Sequence, residues 1–242
     1  MKKLITTIFI LIFLIHNQVL VLTPSKADIP KQDPVLFITG LGGTSSSWNN
    51  VLEMFKIDDW PNGSLFAYDF EKNLDCSDQG NINNANQINQ WVNKILKNTD
   101  SKKVDIIAYS MGGISSRYFL KFLNGTSLVD DYVSIASPQH GSAKSYQCDY
   151  NINNPNELIK MLNDGDETPN GLLNDTIGER YDSILNVTYS GSHIPGNINY
   201  TCIYSPDDDV VIPYNTSRLD GAINIPLNGY LHNKIDQAII LS

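Results

Sequence analysis

The apolar run Val104-Asp105-Ile106-Ile107-Ala108 passes through Tyr109-Ser110-Met111 directly into a helical stretch that opens on Gly112-Gly113. A strand that becomes a helix within a few residues leaves few folds open. It puts the turn at the C-terminal edge of a sheet and sends the helix back over one face. The small residues Ala108 and Gly112, two before and two after Ser110, permit the tight bend that pushes a hydroxyl outward. The helix start beneath that hydroxyl also favours developing negative charge. The same residues read as an ordinary strand-helix turn with a serine cap. The buried character of the strand and the paired glycines favour a nucleophile at Ser110.

The rest of the chain repeats the pattern. Val35 to Thr39 is a second apolar run, followed by Gly40-Leu41-Gly42-Gly43 and a helical stretch around Trp48 to Phe55. Ser64 to Tyr68, Tyr132 to Ala136 and Tyr200 to Tyr204 read as further strands, and Gly112 to Leu123 as a helix closed by Asn124-Gly125. Residues 73 to 90, rich in Asn and Asp, read as a loop entering a helix that carries Ile88, Trp91, Val92, Ile95 and Leu96 at helical spacing. This alternation predicts an α/β fold: a doubly wound, mostly parallel sheet with helices on both faces, its site beyond the C-terminal strand ends. A chain of 242 residues, 41% hydrophobic, can fill one such core.

The formal net charge of −9 argues against nucleic-acid binding, which needs a basic face. Met1-Lys2-Lys3, an apolar run from Leu4 to Ile15, and Ser25-Lys26-Ala27 read together as an export signal over residues 1–27, leaving 28–242 as the catalytic domain. The competing reading is a membrane anchor, since Leu4 to Leu22 is 19 residues long; His16, Asn17 and Gln18 in its middle count against a stable span. The mature chain is then expected to be secreted, soluble and monomeric.

Three cysteines suit an oxidising compartment without making a disulfide scaffold. Cys202 lies in an apolar stretch and reads as a small buried side chain, whereas Cys76 and Cys148 lie in polar loops and are the expected pair. No cysteine or histidine cluster suggests a metal, and no cofactor is expected. Sequons begin at Asn62, Asn124, Asn174, Asn186, Asn199 and Asn215, an expected by-product of so much asparagine.

A serine nucleophile needs a base, and the base an orienting acid, which on sheets of this kind follow in the order serine, acid, histidine. Of the four histidines, His16 lies in the export signal, and His140 and His193 precede the last convincing strand. His232, in Gly229-Tyr230-Leu231-His232 after a strand-like Ala222 to Leu227, is left as the base. The acid belongs after the strand Tyr200 to Tyr204, where Asp207, Asp208 and Asp209 stand in a row. Alternation along an extended segment separates Asp208 from its two neighbours but does not choose among them. Backbone N–H groups for an oxyanion are expected from Met111, after the nucleophile, and Leu41, in the glycine loop. That loop does not complete G-x-G-x-x-G, which excludes a dinucleotide site.

From about Asp33 onward the chain resembles the secreted class 2 triacylglycerol lipases, small α/β hydrolases that cleave acylglycerols and other carboxylic esters. The resemblance is carried by Pro34-Val35 to Gly43-Thr44, Lys103 to Gly113, Ala136-Ser137-Pro138-Gln139-His140-Gly141, Ile203-Tyr204-Ser205, Ser217 to Ala222 and Gly229 to His232. It implies Ser110 as nucleophile, Asp208 as acid, His232 as base, and Leu41 and Met111 as oxyanion donors. It also implies an ester or lipid substrate, met at a lipid–water interface. The family often has histidine where this chain has Thr39 and Tyr109, which alters the polarity of the cleft. The stretch from Ser142 to Asn199 is longer than in compact members. In it Asn154-Pro155-Asn156-Glu157 reads as a capped helix start, with Leu158, Ile159, Met161 and Leu162 as an apolar face that suits a lid, an acyl-pocket wall or a structural insertion. An acyltransferase or thioesterase on the same residues, or a catalytically silent binding protein, are the alternatives.

Overall fold

The computed structural model describes residues 32–61, 63–144, 148, 150–171, 177–182, 187–192 and 198–235. The expected export signal, His16, His193 and the sequons at Asn62, Asn174 and Asn186 lie outside the described residues. In chain order the elements are β1 (Val35–Ile38), α1 (Asn49–Ile57), β2 (Leu65–Ala67), α2 (Asp78–Thr99), β3 (Val104–Tyr109), α3 (Met111–Phe122), β4 (Val129–Ile135), α4 (Glu157–Asn163), β5 (Ile177–Asp182), β6 (Val187–Ser192), β7 (Asn199–Tyr204) and β8 (Ile223–Pro226). Six strands form one sheet in the order β2-β1-β3-β4-β7-β8, and every neighbouring pair is parallel. The other two, β5 and β6, pair antiparallel outside it.

Period-two alternation on β1 shows why the central strands read as unbroken apolar runs. Leu36 and Ile38 pack with Ile88, Val92 and Ile95 of α2 and Phe119 and Leu120 of α3, while Val35 and Phe37 pack with Trp48 and Val51. A strand buried on both sides has no polar face to show. The sheet is therefore covered by helices on both faces, as expected.

Strand order also fixes where loops can meet. From β1 the chain runs outward to β2, then crosses back to β3 on the other side of β1. The segments leaving β1 and β3 thus lie side by side at a topological switch point, where doubly wound sheets form their clefts.

Two elements differ from expectation. The Asn-rich stretch 73 to 90, read as a loop entering a helix, is helical already from Asp78 onward, with Ser77 as N-cap accepting from Gly80 N–H at 3.0 Å. Asparagine is a poor helix former, but Asn81 and Asn84 are turned inward and buried. Asn81 donates to Tyr150 Oη and to the carbonyls of Cys76 and Ser77, and its Oδ1 accepts from Ser115 Oγ at 2.9 Å. Tertiary hydrogen bonding supports helix here where composition opposes it. The hairpin β5–β6, within the long Ser142–Asn199 stretch, has no counterpart in the expected elements. By contrast α4 begins where expected, with Asn156 Oδ1 accepting from Ile159 N–H at 3.0 Å. Of its supposed apolar face Leu158, Ile159 and Leu162 are buried, but Met161 is exposed.

Candidate active site

Ser110 joins β3 to α3 with φ 52° and ψ −126°, a left-handed conformation that costs free energy for a residue with a Cβ. The turn is held by Ser110 N–H donating to the Ile135 carbonyl at 2.8 Å. It fits because neighbouring chain can come close. A Cβ on Gly112 would lie 2.5 Å from the Thr39 carbonyl oxygen, and one on Gly40 would lie 2.9 Å from Ser110 Cβ. Two glycines thus let the β1 loop and the α3 start press against the serine.

His232 opens a 3-10 turn, His232–Lys234, in the segment after β8. Its Nε2 lies 2.9 Å from Ser110 Oγ, and its Nδ1 lies 2.9 Å and 3.1 Å from Asp208 Oδ2 and Oδ1. An ionised carboxylate only accepts, so Nδ1 carries the proton that faces it and Nε2 is left to accept from the serine hydroxyl. Asp208 Oδ1 also accepts from the Val210 and Val211 N–H groups, both at 2.8 Å, which fixes the carboxylate in place. Asp208 and His232 are both buried, so their pairing is shielded from water.

The three aspartates are not arranged as an extended strand. Ser205 to Asp208 form a turn, with Asp208 N–H donating to the Ser205 carbonyl at 3.1 Å. Side-chain alternation therefore does not apply. Asp207 Oδ2 instead accepts from Gly229 N–H at 2.6 Å, and Asp209 Oδ1 from His232 N–H at 3.1 Å.

Ser110 and His232 lie at one side of a cavity of about 440 Å³ whose walls include Leu41, Met111, Pro138, Tyr150, Val210 and Val211. Leu41 and Met111, the expected backbone donors, both line this cavity. Four of the five residues singled out from the sequence thus border one cavity, and the fifth, Asp208, is buried and reaches it through His232. Lys144 is also on its wall, and its Nζ donates to the Asp209 carbonyl at 3.0 Å.

The cavity wall is braced from behind. Cys76 and Cys148 are joined by a disulfide, as expected, and Cys148 lines the cavity. Met111, Ile114 and Tyr150 pack with Leu158, Ile159 and Leu162, so α4 backs the wall and does not itself line the cavity. Cys202 is fully buried, which pushes its thiol up to about 12.

His140 takes no part. Its Nε2 is bound to Glu167 Oε1 at 2.8 Å and its Nδ1 faces the Thr216 carbonyl at 3.2 Å. Sequence reading overlooked Ser142, Tyr150, Val210 and Val211. Val210 and Val211 follow Asp208, and Ser142 follows the loop leaving β4, so the rule that clefts form beyond C-terminal strand ends could have found them.

A family model described as Lipase (class 2) matches residues 32–223. Among solved structures, the mature Bacillus licheniformis lipase BlEst2 superposes with a TM-score of 0.61 at 17% identity, covering 89% of this chain and 91% of that one. Aspergillus fumigatus lipase B superposes with a TM-score of 0.56 at 16% identity, covering 85% of this chain and 49% of the lipase. At such identities the superpositions speak to the fold, which is that of the α/β hydrolases.

Proposed function

The chain belongs to the class 2 lipase family and is a carboxylic ester hydrolase, and from that premise we propose that it is a secreted serine lipase acting on acylglycerols through Ser110, His232 and Asp208. As the ester carbonyl meets Ser110 Oγ, His232 Nε2 takes the hydroxyl proton and the oxygen attacks. Asp208 keeps the ring in the required tautomer and stabilises the imidazolium. The N–H groups of Leu41 and Met111 receive the oxyanion, where preorganised donors strengthen as charge develops. His232 then returns its proton to the leaving alcohol, and water repeats the sequence on the acyl-enzyme. The apolar cavity suits the acyl chain, and residues 1–27 are the export signal. No helix among the described residues is long and apolar enough to cross a membrane.

The observation that carries this reading is the unbroken line of contacts from Asp208 Oδ2 through His232 to Ser110 Oγ, each step 2.9 Å. Hydrolysis of p-nitrophenyl esters of graded chain length and of a triacylglycerol emulsion, with fluorophosphonate labelling, tests it. Ser110→Ala is expected to lose labelling and to lower turnover by about 10⁶ while the chain still folds. Labelling that survives the substitution would remove Ser110 from the role.

A further inference from the structure

The imidazole of His232 is held by Asp208 and Ser110, but two contacts to a ring do not fix the backbone that carries it. That backbone has packed residues at Tyr230 and Ile235 but none immediately beside it. His232 begins a turn of three residues, and its neighbours Leu231 and Asn233 are exposed. Hydrogen bonds supply what packing does not. His232 N–H donates to Asp209 Oδ1 at 3.1 Å, and the His232 carbonyl accepts from Tyr109 Oη at 2.7 Å. The Tyr109 ring lies against the imidazole, with centroids 5.2 Å apart and planes tilted by 38°. Three residues earlier, Gly229 N–H is taken by Asp207. Three consecutive carboxylates thus each bind a different donor of the 229–232 segment, and Tyr109 closes on it from the opposite side.

Resting on the reading of His232 as the base, we propose that Tyr109 and Asp209 are positioning residues that clamp the His232 backbone from both sides. Tyr109 is covalently next to Ser110, so its bond ties the base directly to the nucleophile. Drawing His232 away from Ser110 must stretch the Tyr109 hydroxyl bond as well. Asp209 is in turn next to Asp208, so the same logic ties the base to its acid. Lys144 Nζ, on the Asp209 carbonyl, steadies that side. The distance from His232 Nε2 to Ser110 Oγ is therefore set by covalent neighbours on each side and not by the ring contacts alone. Proton transfer needs that distance kept within hydrogen-bond reach.

Tyr109→Phe removes one hydroxyl and keeps the ring. Measured on a soluble p-nitrophenyl ester, it is expected to lower kcat roughly tenfold with KM changed less than about twofold, well short of the roughly 100-fold that a full 1 Å misplacement can cost. Asp209→Ala should lower kcat to a similar degree, and Asp209→Asn, which keeps an acceptor oxygen, should restore most of it. Because the clamp acts only through the base, Tyr109→Phe should have no further effect on residual hydrolysis in a His232→Ala background. An unchanged kcat in Tyr109→Phe, or the same fold loss with and without His232, would overturn the proposal. If His232→Ala itself costs nothing, the assignment of the base fails and the clamp falls with it.

Discussion

Ser110 keeps its strained turn because Gly40 and Gly112 let neighbouring chain come close, and the contacts of the proposed site differ in how far they reach along the chain. The proposed nucleophile is a local feature: an apolar strand, a tight turn and a helix start, all within ten residues. Chain order alone led to His232 as the proposed base. It did not lead to one acid, because Ser205 to Asp208 turn and alternation gives no answer there; only the family resemblance chose Asp208 for that proposed role. The contacts of Tyr109 and Asp209 with His232 join segments far apart in sequence and leave no local trace. These differences also separate the expected effects of substitution. Asp208→Asn replaces the acceptor that faces His232 Nδ1 by a group whose amide can present a donor, reversing the tautomer. Turnover is expected to fall by roughly 10³–10⁴. Asp207→Asn keeps an acceptor for Gly229 N–H and should cost far less. Steady-state kinetics of the two variants on one soluble ester compare them, and a larger loss in Asp207→Asn would place the acid one residue earlier.

At the scale of elements, the central strands were legible because burial on both faces leaves them apolar throughout. The first turns of α2 were not, because Asn81 there is used as a buried hydrogen-bonding group. α4, of seven residues, is too short to stand by its own propensity. It is held from α3, where Arg117 donates to the Leu162 carbonyl and Asn163 Oδ1 and Lys121 donates to the carbonyls of Leu162, Asp164 and Asp166. The opposite end of the sheet from the site carries a different constraint. Asp105, near the start of β3, accepts from Asp131 N–H at 3.1 Å at the start of β4. Burial, then the nearby carboxylates of Asp131, Asp33 and Asp130, push its carboxyl up to about 7. The folded chain therefore keeps a proton that the unfolded chain releases near pH 4. This group's contribution to stability is greatest below that pH and declines as pH rises toward about 7. Asp105→Asn keeps the acceptor and removes the charge. It is expected to raise the thermal midpoint at pH 8 and to flatten its decline between pH 4 and 7, as read by thermal unfolding across that range; a midpoint lowered at pH 8 would contradict the assignment.

For the molecule as a whole, one covalent bond links the organisation of the sheet to the shape of the cavity. Cys76 stands just before the start of α2 and Cys148 in the cavity wall, and the loop they close is 72 residues long in sequence, containing α2, β3, α3 and β4. In the chain-entropy account a loop of that length is worth about 4 kcal/mol, as an upper figure, because it restricts the unfolded chain. Cys202 offers no competing partner: its thiol is fully buried and held protonated, so no thiolate is presented to attack the bridge. The double variant Cys76→Ser, Cys148→Ser is therefore expected to lower the thermal midpoint by about 10 °C for a chain of this size. A remote staple would do only that. Here one sulfur lines the cavity, and the bridge also binds the Tyr150 wall to the start of α2 through Asn81, whose Nδ2 donates to both Tyr150 Oη and the Cys76 carbonyl. Loosening that wall should weaken contacts along the acyl chain more than contacts at the carbonyl. The variant's kcat/KM is thus expected to fall more for long p-nitrophenyl esters than for the acetate, measured well below the midpoint. A uniform loss across the series would mean that the bridge serves stability alone, and that the acyl chain does not lie along Cys148.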